Sequence, residues 1–154
     1  MRFCLSVIAV TLILSCTASN GKFNQNRWLN NPGMNDWGNP RIVMLDDLMS
    51  NHLYIGMSRD SILMLLGKPY EEKIEMSLPD DMKIPDSISF AKEKNLRPGR
   101  ADTVTYLINE FSKKNSQPDT VMMYALGPSM ADYWFLKIVY DNKGRVRKYY
   151  KYQS

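Results

Sequence analysis

The sequence predicts an α+β domain in which an N-terminal helical pair packs on a C-terminal three-stranded antiparallel β-meander, with an additional helix inserted between them. Three observations predict it. The stretch 56–69 is a short helix with both ends marked, the apolar positions Val104, Leu107, Ile108 and Phe111 repeat at helical spacing, and the last third of the chain alternates at strand period between turn signals. A chain of 154 residues with 44% hydrophobic and 23% charged content has the composition of one globular domain. That length is enough to bury a core.

The stretch 56–69 reads Gly-Met-Ser-Arg-Asp-Ser-Ile-Leu-Met-Leu-Leu-Gly-Lys-Pro. Ser58 is placed to accept a backbone N–H from the first turn, and Asp60 sets a negative charge near the positive end of the helix dipole. Gly67 can take the left-handed conformation that closes a helix, and Pro69 forbids continuation. So short a helix does not hold in water alone, so its leucines must bury against neighbours. Gly56, Ser58, Gly67 and Pro69 are therefore the structural motif residues.

This pattern, Gly-Met-Ser-x-x-x-Ile-x-x-Leu-Leu-Gly-x-Pro, resembles the short helix of the SmpA/OmlA (BamE-like) family of small bacterial lipoproteins. The resemblance implies a pair of helices laid on a three-stranded antiparallel sheet. Where the family commonly has Glu or Gln three residues after the capping residue this chain has Ser61, so a reciprocal capping box is incomplete.

Arg2 is followed by an apolar or small-residue run over 3–14, too short to cross a bilayer as a permanent helix. It reads as a secretory signal peptide over 1–15. Ile13-Leu14-Ser15-Cys16 resembles the lipobox of bacterial lipoproteins, which implies that Cys16 carries diacylglycerol; the competing reading is an ordinary signal with an incidental cysteine. Cys4 would leave with the signal, so no thiol remains for disulfide or thiolate chemistry. Several acyl chains anchor firmly where one does not. By the same resemblance Thr17, rather than Asp, implies a lipid-anchored, periplasm-facing protein of the bacterial outer membrane. The 20 Lys and Arg less Arg2, against 16 Asp and Glu, leave a net charge of +3, which is no nucleic-acid signature.

Residues 16–39 read as a lipidated flexible tether, rich in Asn, Gly and Ser, with Trp28 and Trp37 either at the headgroups or docked back on the domain. The domain itself is expected over 40–154. Asn39-Pro40 opens the first helix, with Leu45, Leu48, Met49, His52 and Leu53 on its apolar side. Residues 54–57 link it to the Ser58 helix, and Gly56 allows the sharp turn. Ile74, Met76 and Leu78 alternate as a short edge strand. A helical turn is expected around 86–94, and Asp102 caps the inserted helix, whose last turn carries Lys113 and Lys114. The segment 70–118 as a whole reads as an insertion or subfamily feature relative to the family.

The meander is expected as 120–126, 133–140 and 145–152, with a hairpin turn at Asp141-Asn142-Lys143-Gly144. Trp134, Leu136, Ile138 and Tyr140 form the face toward the helices. Lys143, Arg145, Arg147, Lys148, Tyr149 and Lys151 are the candidate contact surface, for an acidic partner or anionic headgroups. The competing reading is a solvated edge whose cations discourage strand pairing. Strict alternation would put Arg145, Arg147 and Lys151 on one face.

Catalytic signals are weak. The single His52 lies on an apolar helix side, and Gly127-Pro128-Ser129-Met130-Ala131 is followed by a strand rather than the helix a nucleophile elbow needs. Adjacent Asp46-Asp47 and Asp80-Asp81 point apart, and no metal-ligand or phosphate-loop spacing is present. The expectation is a non-enzyme with no metal, cofactor, nucleic acid or small-molecule substrate. The expected contacts are a membrane through its anchor and an envelope protein. The resemblance implies a binding or scaffolding role in outer-membrane protein assembly or envelope integrity; the alternative is a secreted inhibitor-type domain that blocks an enzyme through its sheet face. Cys16→Ser is expected to release the protein from the membrane fraction or to leave an unprocessed precursor, as checked by fractionation and labelled fatty-acid incorporation.

Overall fold

The computed structural model describes residues 21–89 and 100–154; the expected signal peptide over 1–15, Cys16, Thr17 and most of the turn expected around 86–94 lie outside them. The described chain runs α1 (Gln25–Leu29), α2 (Pro40–Asn51), α3 (Arg59–Leu66), β1 (Glu71–Ser77), a 3-10 turn at Asp86–Ile88, α4 (Arg100–Asn115), β2 (Gln117–Pro128), β3 (Tyr133–Tyr140) and β4 (Val146–Gln153). The class is α+β, but the antiparallel sheet has four strands in the order β1-β2-β3-β4, not three. The fourth is the expected edge strand. It joins the meander by pairing with β2 from Glu71 opposite Met123 to Ser77 opposite Gln117, so the inserted segment returns to its own starting strand. Asp102 lies in the first turn of α4 rather than capping it, because the helix already begins at Arg100.

One face of the sheet meets the helices. Met122, Tyr124 and Leu126 of β2, Leu136, Ile138 and Tyr140 of β3, and Val146 join Met44, Leu45 and Leu48 of α2 and Ile62 and Leu66 of α3 in one buried cluster. Trp134 packs against it, as its strand alternation requires. The opposite face has its own buried cluster of Val121, Met123, Ala125, Phe135 and Val139, with Met34 and Tyr133 against it. Burial on both faces explains why β2 and β3 read as nearly continuous apolar runs. On β1 the alternation works the other way: Ile74 and Met76 remain 71% and 63% exposed, while Lys73 and Glu75 share the second face with Lys137 and pair there.

The flexible tether expected over 16–39 is corrected across its described part. Asn24 caps α1 by accepting from the Arg27 N–H, and Trp28 is fully buried between Arg41 and Tyr124. Asn39, itself buried, accepts from the Arg41 N–H and donates to the carbonyls of Asn31 and Gly33, which ties 31–39 down. Trp37 stays outside. A segment without periodicity is held here by one indole and by side-chain-to-backbone hydrogen bonds, which no periodicity reveals.

The α3 ends follow their residues. Ser58 Oγ accepts from the Ser61 N–H at 3.1 Å, and Gly67 donates its N–H to Leu63 O. Gly67 does not enter the left-handed helical region: at φ 75°, ψ −160° it occupies a region essentially reserved for glycine. A Cβ there would also sit 2.7 Å from Leu29 Cδ2 of α1. Leu66→Ala is expected to lower unfolding free energy by about 2 to 5 kcal/mol, since Leu66 is wholly buried. Gly67→Ala should cost about 1 kcal/mol or more. Denaturant titration checks both, and unchanged midpoints would contradict this account of the core.

Candidate contact surface

Within the basic hairpin, a register shift between Val139 and Tyr140 sets Val146 opposite Tyr140 but Lys148 opposite Val139. One extra residue therefore stands between them, and Arg147 and Lys148 both reach carboxylates at the second face. Arg147 Nη2 pairs with Asp119 at 2.5 Å, its Nε lies 3.2 Å from Asp80 without a well-directed hydrogen bond, and Lys148 Nζ meets Asp80 at 2.7 Å. The Lys148 hydrogen bond, with both neighbouring cations, holds the Asp80 carboxyl below its ordinary range. Asp119 also accepts from Ser77.

The candidate surface is thus divided by the fold. Tyr149 belongs to the interior side, donating to the carbonyls of Met49 and Leu53 and packing against the helix-side core. Lys151, opposite Leu136 on the helix side, stacks its ammonium 4.0 Å from the Trp134 ring. Arg145, Arg147 and Lys151 therefore do not share a face. The bulge shifts the alternation after Val146, a register change invisible in a sequence whose residues there are all polar or aromatic.

Lys143 and Arg145 remain exposed at the hairpin tip, on a fixed backbone. Asp141 Oδ1 accepts from the Lys143 N–H at 2.9 Å and the Arg145 N–H at 2.8 Å, and these backbone hydrogen bonds hold its carboxyl below the usual range. Gly144 closes the turn at φ 69°. Beside it lies the α2–α3 connection: Gly56 donates to Val146 O at 2.7 Å, Val146 donates to Met57 O at 2.8 Å, Ser58 bridges Arg145, and Arg145 Nη1 reaches Gly56 O. Gly56, at φ 89°, makes the bend. This frame presents Tyr54 and Ile55, each 62% exposed, alongside the two cations. Sequence reasoning passed over both as linker residues. The signal was available, because neither fits the apolar stripe of the helix on either side.

Elsewhere, Pro69 with Arg59, Leu63, Lys68, Tyr70 and Glu72 lines an open cleft of about 420 Å³ at the end of α3. Its rim is tied by the Arg59–Glu72 pair at 2.8 Å. His52 is not on a buried apolar side; α2 ends one residue earlier, and the exposed imidazole lies against Phe23 with Nε2 3.5 Å from Asp47. Ser129 Oγ accepts from the Asp132 N–H and from Gln153 Nε2, between two strands. Among the described residues no group of three or more His, Cys, Asp or Glu could hold a metal ion, and no helix is long and apolar enough to cross a membrane.

No family model, curated protein or solved structure matches the chain.

The division of the hairpin cations has a measurable consequence. Arg147→Ala strips the nearly buried Asp119 of its cation and is expected to cost about 1 to 3 kcal/mol. Arg145→Glu and Lys143→Glu, at exposed positions, should change stability by less than about 0.5 kcal/mol. Thermal melts of the three variants check the contrast; equal losses would mean that the tip cations are structural as well.

Proposed function

We propose that this protein is a non-catalytic, lipid-anchored envelope protein of the SmpA/OmlA (BamE-like) kind, a binding or scaffolding module that contributes to outer-membrane protein assembly or envelope integrity. The lipobox-like Ile13-Leu14-Ser15-Cys16 supports the anchor. The Gly56–Pro69 motif supports the family reading, since it forms a capped helix that buries Ile62 and Leu66 against an antiparallel sheet.

The observation that carries the binding role is the hairpin pole. Tyr54, Ile55, Lys143 and Arg145 are exposed together on backbone fixed by the Gly56–Val146 and Asp141 hydrogen bonds, so a partner meets a surface whose ordering cost is already met. Tyrosine and arginine are enriched in protein contacts, and the two cations suit an acidic partner. The sheet face invoked by the inhibitor reading is instead filled by the Lys137–Glu75 and Arg147–Asp119 pairs and by Tyr150 and Tyr152 over Lys137.

A photo-crosslinker at Tyr54, in the lipidated protein in native membranes, is expected to capture outer-membrane assembly proteins. Arg145→Glu combined with Ile55→Ser should reduce that capture at least tenfold while leaving the melting temperature in place. Capture of one soluble enzyme instead would favour the inhibitor-type reading.

A further inference from the structure

The pole opposite the hairpin tip carries a second exposed apolar pair. Trp37 is 71% exposed and Met130 is 100% exposed, and both line one open cleft of about 230 Å³. Neither sits on a loose loop. Tyr133 donates its hydroxyl to Asn35 Oδ1 at 3.0 Å, joining the two loops, and the Asp36 carbonyl lies 3.1 Å from where a Cβ on Gly127 would stand. Two large apolar side chains are thus held outward, where collapse onto the domain would bury them.

The path of the chain leads to the same pole. Phe23 N–H donates to Asp47 Oδ2 at 2.8 Å, Lys22 pairs with Asp47 Oδ1, and Gly21 lies against the Val43 carbonyl. Followed backward from Phe23 to Gly21, the backbone therefore runs along α2 from its eighth toward its fourth residue, in the direction of the end where Trp37 precedes Pro40. From Gly21 a fully extended chain reaches Cys16 within roughly 18 Å. The eight residues of β3 separate this pole from the hairpin tip by about 26 Å.

We propose that the Trp37–Met130 pole rests in the headgroup region of a phospholipid bilayer, beside the acylated Cys16, so that Tyr54, Ile55, Lys143 and Arg145 point away from the membrane. This rests on the lipidation of Cys16 proposed above. An indole with an apolar body and one N–H suits the boundary between headgroups and acyl chains. The charged neighbours here, Asp36 and Asp132, are acidic and repel anionic headgroups, so the contact rests on the apolar pair and suits zwitterionic lipid. It should persist as salt rises, unlike attraction through the basic hairpin.

The test uses the full mature protein, with the acyl mass on Cys16 first established by mass spectrometry, in phosphatidylcholine vesicles containing acyl-brominated lipid. Trp28 is buried and Trp134 is half-buried, so Trp37 should supply the quenching by bromolipid, and Trp37→Phe should abolish it. A mature chain without a free thiol also permits single labels. A polarity-sensitive dye on Met130→Cys should shift to the blue on vesicles and resist iodide, whereas one on Lys143→Cys should do neither. An acylated protein whose Trp37 is unquenched and whose Met130→Cys label stays open to iodide overturns this orientation and leaves the anchor standing. A missing acyl mass overturns the anchor and the orientation together.

Discussion

The guanidinium of Arg41, almost wholly removed from water, holds three parts of the molecule together. Its Nε donates to Trp28 O at 2.9 Å, its Nη1 donates to Ala125 O at 3.2 Å, and its plane lies 4.7 Å from the centre of the Trp28 ring. α1, α2 and β2 therefore meet at one side chain. Burial lowers its pKa to about 10, which still leaves it charged at neutral pH. A buried cation is costly unless its donors find acceptors, and here backbone carbonyls and an aromatic face fill that role. The arrangement is not fully satisfied, because the Trp28 indole N–H meets no acceptor among the described residues. The dense apolar packing of Trp28 against Phe23 and Tyr124 must offset that loss.

Local signals with their own chemistry were legible in the sequence. Asn39-Pro40, Ser58 and Gly144 name the start of α2, the start of α3 and the turn of the last hairpin, and each stands where its chemistry puts it. The faces of β3 were legible as well, since alternation alone divides Leu136, Ile138 and Tyr140 from Phe135 and Val139. What escaped was decided by partners far away in the chain. Arg41 reads as a polar residue on an amphipathic helix, and only the approach of Ala125 makes it interior. Likewise β1 carries an apolar alternation that faces water, because Lys73 and Glu75 find Lys137 on the other side.

The candidate surface shows the same limit at closer range. Six residues of similar chemistry divide into three environments, in part through one extra residue near Arg147: two are bound to Asp80 and Asp119, two lie on the helix side, and two are exposed at the tip. Composition located the strand but could not locate the bulge. The exposed pair Tyr54 and Ile55 joins the tip only through backbone hydrogen bonds between 56–58 and 144–146, a long-range pairing that sequence spacing does not encode.

The contact between Arg41 and Ala125 joins residues 84 positions apart, and it closes over the segment nearest the start of the domain. The indole of Trp28 finds Tyr124 only after β2 has left the ribosome and crossed any membrane on its way. α1, with five residues, has too few hydrogen bonds to persist alone until then. The packing of the first part of the domain to be synthesised therefore cannot be completed before β2 is present. During that interval the nascent chain has apolar residues at its leading end and no sheet to receive them, which is the stage at which a folding helper or a proteolytic quality-control step would act.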